Sequence, residues 1–328
     1  GLCDYALRRQ KGKLVLEKLG RVTMPVETKL EFQDGTQEII SSSGKERSET
    51  IDIPKDKKLK SASLDYEEKL LDIDRVNNHL PRKLDVKFVP IYLWLYDYPL
   101  FLKEDAYNWV TGPSFSAYGL GLRTSFQKPD DYIVYAASHY QLNSSAVNSS
   151  VGFEKMGFLH QYMSWGAEFF NRDSKNDEED DLRWYKLYIR RELSLGEGFF
   201  EPASHLTFYL LHNWSLGNSG FLGSAEDAKS LRYRQKQETI FGVAFYDSHA
   251  GSLPDPSTGY KLVATGEVAG HILNGSDAFS RVVLEFDKYI GLFDDHKLVI
   301  RLKGAGGIPK NKYLFYLGSD TELRGYDF

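Results

Sequence analysis

Hydrophobic and polar residues alternate along most of the chain after about residue 108, which predicts a series of long β-strands. Most of these segments exceed the 5–6 residues that are usual in globular sheets. They approach the roughly 9–11 residues with which a tilted strand crosses a bilayer. The predicted strands, about eleven in number, are 108–116, 119–127, 132–143, 146–158, 162–172, 182–195, 205–216, 231–247, 260–273, 279–289 and 297–303.

The segment 182–195 shows the two faces of such a strand. One face carries Tyr185, Leu187, Ile189, Leu193 and Leu195, and the other carries Trp184, Lys186, Tyr188, Arg190, Glu192 and Ser194. Arg191 interrupts the apolar face, so it requires a position near a membrane interface, where a long side chain reaches water. The alternation therefore predicts one lipid-facing and one polar face.

Polar segments of different length separate the predicted strands. Long ones occupy 173–181, 217–229 and 250–259, and short ones lie at 118–119, 128–131 and 144–145. In outer-membrane barrels the long loops lie outside the cell and the short turns face the periplasm. We expect the same division here, although short connections occur on both sides near the start of the series.

The first 77 residues have shorter strands, typical of a small β-sandwich. Candidate strands are 5–8, 13–19, 26–32, 38–42, 47–53 and 59–65. In the third, Val26, Leu30 and Phe32 alternate with charged residues, and Asp34-Gly35 then predicts a tight hairpin turn. Residues 78–106 form an apolar, aromatic connector. It either packs against the sandwich or lies at the mouth of the barrel, the interpretation we favour because Trp and Tyr prefer membrane interfaces.

Composition agrees with a membrane barrel and excludes several other classes. Aromatic residues make up 14% of the 328 residues, which suits girdles at the two interfaces, although an aromatic-rich soluble sandwich has a similar composition. The net charge of -5 gives no basic field for nucleic acid. No apolar run approaches the roughly 18 residues of a spanning helix. Cys3 is the only cysteine, so no disulfide forms within the chain.

The chain ends on a motif, Leu323-Arg324-Gly325-Tyr326, that follows the eleventh predicted strand. This combination resembles the bacterial surface-antigen and outer-membrane assembly-factor family, the BamA-like β-barrels. The resemblance implies that this loop folds back into the lumen, with Arg324 as its anchor on polar or acidic wall residues. It also implies that Gly325 makes the turn, that Tyr326 packs beside it, and that the barrel of residues 107–328 is truncated before its last strands.

The N-terminal residues resemble a second family. Cys3-Asp4-Tyr5-Ala6-Leu7, residues 24–35 and residues 64–78 are similar to the immunoglobulin-like C-terminal domain of aminopeptidase-N-like zinc metallopeptidases. The zinc motif of those enzymes, H-E-x-x-H, does not occur in this chain. The resemblance therefore implies a longer parent protein with a peptidase domain upstream, and it gives this chain no catalytic role.

No other motif predicts catalysis, a metal or a cofactor. His205 and His212 are seven residues apart, which places them on opposite faces of a strand, and the other histidines are isolated. The glycine-rich residues 304–307 lack the Lys-Ser/Thr pair and helix of a phosphate-binding loop. We therefore predict a chain that is not an enzyme.

The predicted fold class is all-β, a small β-sandwich (1–77) followed through the connector (78–106) by an incomplete transmembrane antiparallel β-barrel (107–328). The predicted location is the bacterial outer membrane, with the sandwich in the periplasm and lipid, and protein or peptide clients, as partners. The barrel would anchor the peptidase or form a conduit for it. One alternative is a pore for assembly or secretion of proteins, which predicts a weak seam between the first and last strands. The other is a soluble β-rich carbohydrate-binding protein.

Overall fold

The computed structural model describes residues 3–10, 13–54, 56–93, 101–116, 119–142, 145–157, 159, 162–174, 181–193, 204–216, 236–249, 258–270, 278–293 and 296–308. Strands dominate these residues, and one 3-10 helix lies wholly within them, at Arg75–Asn78. No helix in this part of the chain is long and apolar enough to cross a membrane. The predicted all-β fold class is confirmed.

Two sheets form the N-terminal sandwich. They contain β1 (Tyr5–Gln10), β2 (Lys13–Lys18), β3 (Val26–Phe32), β4 (Gln37–Ser42), β5 (Ser48–Ile51), β6 (Leu59–Leu64) and β7 (His79–Leu80). The strand order is β1-β2-β5 in one sheet and β4-β3-β6-β7 in the other. The first six strands lie where the sequence predicts them. The turn at Asp34-Gly35 is also present, with Gly35 at φ +82°.

The two sheets share one apolar core. Strand β3 alternates fully between buried and half-buried positions, as its sequence predicts. The core is built from Tyr5, Leu7, Leu14, Leu16, Val26, Leu30, Phe32, Ile51, Ala62, Leu64 and Leu70, with Cys3 at its border. Burial of this apolar area is the main favourable contribution to the folding of the sandwich.

Tyr5 connects β1 to the segments that precede β3 and follow β4 through its hydroxyl group. The buried Tyr5 Oη accepts the N–H of Met24 at 3.0 Å and donates to the carbonyl oxygen of Gly44 at 3.2 Å. Gly44 has φ +64°, and a Cβ at this position would lie 2.1 Å from the Met24 carbonyl oxygen. Only glycine combines this left-handed backbone with such a close approach.

The largest sheet has twelve strands, in the order β8 to β19. They are β8 (Leu84–Phe88), β9 (Tyr107–Ser116), β10 (Gly119–Lys128), β11 (Tyr132–Gln141), β12 (Ala146–Lys155), β13 (Met163–Ser174), β14 (Asp181–Glu192), β15 (His205–Leu216), β16 (Lys236–Ser248), β17 (Gly259–Gly270), β18 (Phe279–Phe293) and β19 (His296–Ile308). The strands β9 to β19 correspond one by one to the eleven predicted strands. Strand β8, which we did not predict, lies in the connector.

Neighbouring strands from β12 to β19 are antiparallel. Their alternation places the connection 250–258, between β16 and β17, at the opposite end of the sheet from 175–180 and 217–235. The expectation that 250–259 lies with the other two long segments is therefore wrong. Length alone does not determine the side on which a connection lies, whereas the number of strands before it does.

The chain forms two compact units. One comprises Gly1–Gly112 with Thr124–Ile133, and the other comprises Pro113–Arg123 with Val134–Phe328. The first unit therefore contains the sandwich, β8, residues 107–112 of β9, residues 124–128 of β10 and residues 132–133 of β11. The predicted domain limits, 1–77, 78–106 and 107–328, remain a prediction.

We expect Tyr5→Phe to destabilise the sandwich by about 1–3 kcal/mol, because the buried carbonyl oxygen of Gly44 loses its donor. The measurement is the urea dependence of thiol labelling at Cys3, which is 7% exposed in the folded chain. Tyr66→Phe is the control and should change stability by less than about 0.5 kcal/mol, as is usual for a surface site. Equal urea midpoints for the two variants would contradict the role of the Tyr5 hydroxyl.

Candidate functional site: the polar wall of the large sheet

The two faces of the large sheet have opposite chemistry. On β14, Leu187 and Ile189 are 47% and 44% exposed on one face, and Lys186, Tyr188 and Arg190 occupy the other. The predicted faces are confirmed within β14, whereas Ser194 and Leu195 of the predicted segment lie outside the described residues. The apolar face continues on other strands with exposed side chains, among them Phe208, Phe241, Val268, Leu284 and Leu302. Such a face is suited to lipid, and the polar face then forms the inner wall of a barrel.

Tyrosine–glutamate hydrogen bonds recur on the polar face. Tyr135 on β11 donates its hydroxyl proton to Glu168 on β13 at 2.7 Å. Tyr188 on β14 donates to Glu154 on β12 at 2.8 Å. Tyr209 on β15 donates to Glu267 on β17. In each case the tyrosine side chain crosses the neighbouring strand and bonds to a glutamate on the strand beyond it. We call these three pairs the Tyr–Glu bridges.

A glycine lies under each tyrosine ring on the strand that is crossed. A Cβ would lie 2.3 Å from Tyr135 Cζ at Gly152, 2.5 Å from Tyr188 Cζ at Gly166 and 2.1 Å from Tyr209 Cζ at Gly242. Any larger residue at these positions would force the ring away from its glutamate. The three glycines are therefore part of the bridges, because only their missing side chains allow each ring to lie flat across the neighbouring strand.

Cations complete each bridge. The Arg123 guanidinium lies 4.6 Å from the centre of the Tyr135 ring. Arg190 lies 5.4 Å from the Tyr188 ring and 3.8 Å from Glu154. The Lys186 ammonium lies 4.9 Å from the Tyr209 ring, and Arg281 pairs with Glu267. The positive charges offset the cost of holding carboxylates on a partly buried wall.

The polar face continues to β19 with a further ion pair. Asp287 on β18 is 1% exposed and accepts two hydrogen bonds from Arg301 on β19, at 2.8 and 3.0 Å. Lys261 lies 3.7 Å from Glu285 nearby. Among the described residues, the wall therefore presents carboxylates that a tyrosine or an arginine holds in position, those of Glu154, Glu168, Glu267 and Asp287.

Arg191, predicted to need an interfacial position, lies one residue from the end of β14, where its side chain is exposed. His205 stacks on Tyr246, and His212 bonds to Thr239 at 2.8 Å. The register places them on opposite faces, as predicted.

Within the described residues no group of three or more His, Cys, Asp or Glu side chains is arranged to hold a metal ion. The motif residues Leu323, Arg324, Gly325 and Tyr326 lie outside the described residues.

A second polar cluster joins the sandwich to the base of the first strands within one compact unit. Lys128, at the end of β10, bonds to Asp74 at 2.7 Å and to Asp131 at 3.1 Å. His79 lies 3.3 Å from Asp105, which also pairs with Lys83. Burial, reinforced by the positive charge of Lys83, holds the pKa of His79 below its usual value. We call this cluster the joint.

A sheet with one exposed apolar face and one ion-paired polar face defines a membrane β-barrel wall, here incomplete. The sequence pattern of the Omp85 superfamily domain matches residues 97–328, which is more than half of the chain. The chain therefore belongs to the Omp85 superfamily, which includes the BamA-like and surface-antigen proteins, and it is an outer-membrane protein. No curated protein matches it.

Sequence patterns did not reveal the Tyr–Glu bridges or the joint. Alternation assigns Tyr188 and Glu154 to a polar face, but it does not show which residues two strands apart meet. The available signal was the set of glycines at polar-face positions inside long strands, where a glycine often marks the close approach of another group. The predicted family resemblance of the barrel is confirmed, whereas the match does not reach the sandwich.

We expect Gly242→Ala to weaken the barrel by about 1–3 kcal/mol, because the new methyl group overlaps the Tyr209 ring and forces it off Glu267. The measurement is the temperature at which the full-length protein in detergent loses its folded electrophoretic mobility. Gly266→Ala is the control, because a Cβ there meets only Val243, at 3.5 Å. An unchanged transition for Gly242→Ala would argue against a structural role of the bridge.

The joint should be sensitive to pH. Because the pKa of folded His79 lies below the unfolded value of about 6.5, the unfolded chain binds this proton more readily. The contribution of His79 to stability is therefore present above about pH 6.5 and is lost as the pH falls towards and through the folded pKa. Cys3 labelling in urea should show a lower midpoint at pH 5 than at pH 7.5. His79→Gln should reduce this difference, and an identical pH dependence would contradict the assignment.

Proposed function

We propose that this chain forms a conduit for polypeptides through the outer membrane, controlled by the loop that carries Leu323, Arg324, Gly325 and Tyr326. Proteins of the Omp85 superfamily assemble or translocate other proteins in general, and no catalytic family is indicated for this chain. The observation that carries the proposal is the row of fixed carboxylates on the polar wall. A loop arginine that enters the lumen needs such acceptors, because a buried guanidinium is stable only when it is paired.

Each motif residue has a defined part in this proposal. Arg324 would bind a carboxylate of the wall in the two-pronged geometry that a guanidinium favours. Gly325 would make the tight turn, and Tyr326 would pack beside the arginine. The loop would then narrow the lumen, and its release would widen it. The described wall offers Glu154, Glu168, Glu267 and Asp287 as acceptors, each already placed by a tyrosine or an arginine.

We expect Arg324→Ala to raise the conductance of the full-length protein in planar lipid bilayers about twofold or more, because a single lost charge-assisted contact of about 1.5–3 kcal/mol releases the loop. Lys312→Ala, which removes the same charge from the same segment, is the matched control. Arg324→Lys should give an intermediate value, because an ammonium pairs with only one oxygen at a time. Equal conductance for Arg324→Ala and Lys312→Ala would reject Arg324 as the anchor.

A second proposal concerns the sandwich. The joint and Arg82, which donates to the Leu7 carbonyl oxygen at 3.0 Å, fasten the sandwich to the base of β9 and β10. This fixed attachment favours anchoring of a domain that precedes the sandwich, and the N-terminal resemblance suggests an aminopeptidase-like metallopeptidase in the periplasm. The test is the sequence of the longer protein. An upstream H-E-x-x-H with a downstream Glu supports the anchoring function, and tandem periplasmic repeats there support a protein-assembly function instead.

Both proposals require the barrel. In the first it conducts polypeptides, and in the second it anchors a peptidase domain. The soluble carbohydrate-binding alternative does not fit an Omp85 domain with a broad exposed apolar face. Lipid and protein clients therefore remain the proposed partners. No described feature favours nucleic acid, and the net charge of -5 opposes it.

A further inference from the structure

The first strand of the barrel has an unusual neighbour. Strand β8 lies at the edge of the twelve-stranded sheet and pairs with β9 in parallel, from Leu84 opposite Tyr107 to Phe88 opposite Thr111. Strands joined by short connections in such a barrel are antiparallel. Because β8 and β9 run in the same direction, the chain must return after β8 to the end of the sheet at which β8 began, where β9 starts.

Hydrogen bonds extend this pairing beyond the limits of β8. The N–H of Tyr107 donates to the Lys83 carbonyl oxygen at 3.0 Å, and the N–H of Val89 donates to the Thr111 carbonyl oxygen at 2.9 Å. In a parallel pair the residues of one strand alternate in the direction of their backbone groups. The backbone N–H and C=O groups that point towards β9 are therefore those of Lys83, Asp85, Lys87 and Val89.

Side chains of β8 fit the two faces of the sheet. Leu84, Val86 and Phe88 are 55%, 43% and 81% exposed, and Val86 lies opposite Trp109 on the apolar face. On the other face, Asp85 pairs with Lys103 at 2.8 Å and with Lys87 at 3.2 Å. The alternation of β8 thus has the same sense as that of the barrel strands.

The chain then crosses the polar face of the sheet at β9 and β10. A Cβ at Gly112 would lie 2.4 Å from the Val89 carbonyl oxygen, so glycine is needed for this crossing. Three residues later, Tyr92 is 6% exposed, and its hydroxyl lies 2.6 Å from the Ser125 hydroxyl on β10. The crossing and this contact hold the C-terminal end of β8 against β9. The joint holds the N-terminal end of β8 in the same way.

We propose that β8 is a guard strand that covers the pairing edge of the first barrel strand and must leave before another strand can pair along its full length. Strand β9 has 10 residues, and β8 covers Tyr107 to Thr111. The uncovered part, Gly112–Ser116, is about half of the roughly 9–11 residues with which a strand crosses a bilayer. The seam has therefore two states, with β8 in place or displaced. This inference depends on the Omp85 membership and not on the client or on the peptidase.

The test is disulfide trapping of a peptide at the covered edge. The full-length protein, in detergent, carries Thr111→Cys and Cys3→Ala. The probe is a peptide that copies residues 83–88 with a cysteine in place of Phe88, so that its thiol meets position 111 only when it occupies the place of β8. The rate of mixed-disulfide formation is measured with β8 intact and with β8 weakened.

Two changes weaken β8 by different means. Lys87→Pro removes an N–H that is directed at β9, and Gly112→Ala forces Val89 away. Each should raise the trapping rate about tenfold, which corresponds to the loss of one net hydrogen bond. Val86→Pro is the control for the first, because its N–H is directed away from β9, and Lys87→Ala isolates the loss of the side chain. Gly266→Ala is the control for the second.

The outcomes separate clearly. Faster trapping with Lys87→Pro or Gly112→Ala, and unchanged rates with the three controls, establish that β8 occupies and protects this edge. Equal rates in all variants would overturn the proposal, because the edge would then be open without displacement of β8. Equally fast trapping in the Val86→Pro and Lys87→Pro variants would also overturn the proposal. A general loosening of the connector by proline would then explain both rates. Altered conductance of Arg324→Ala bears on the conduit alone and leaves this result unaffected.

Discussion

Backbone N–H and C=O groups cannot remain unpaired in the hydrocarbon layer of a membrane, and this constraint makes the edges of the large sheet its critical positions. Most strands satisfy it through neighbours on both sides. The first barrel strand satisfies part of it through β8, a strand that belongs to the connector. An exposed edge would pair with any available strand, and natural proteins cover or disrupt such edges. Placing β8 there protects the edge with a piece of the same chain that is already tethered beside it.

Register is the second constraint, because a slip of one residue would exchange the lipid face and the polar face of a strand. The Tyr–Glu bridges fix the register over three strands at a time. Tyr188 reaches Glu154 only while Gly166 lies beneath its ring, so a slip of β13 would break the hydrogen bond and place a side chain under the tyrosine. A wall built in this way keeps its carboxylates in position, which a loop that docks on them requires.

Much of this architecture could be predicted from the sequence, because alternation in long segments is a local signal. Eleven barrel strands, the faces of β14 and the opposite orientation of His205 and His212 all follow from a period of two. Strand β8 was missed although Leu84-Asp85-Val86-Lys87-Phe88 alternates as clearly as any barrel strand. The aromatic run that begins at Phe88 is typical of a membrane-interface segment, which the sequence therefore predicts instead. Parallel pairing with Tyr107 is a long-range contact, and no pattern within either segment specifies it.

The joint and the guard strand belong to one compact unit, and their connection is short. Arg82 donates to the His79 carbonyl oxygen at 2.7 Å, and Lys83, next in the chain, gives its carbonyl oxygen to Tyr107. No flexible linker therefore separates the last strand of the sandwich, β7, from the first residue that pairs with the barrel. Because this connection is short, the departure of β8 proposed above would also change how the sandwich is held. Binding at either place changes the free energy of the other by the same amount, because coupling between two sites is reciprocal. With β8 displaced as proposed, a ligand that binds the sandwich would therefore change the free energy of pairing at the edge of β9.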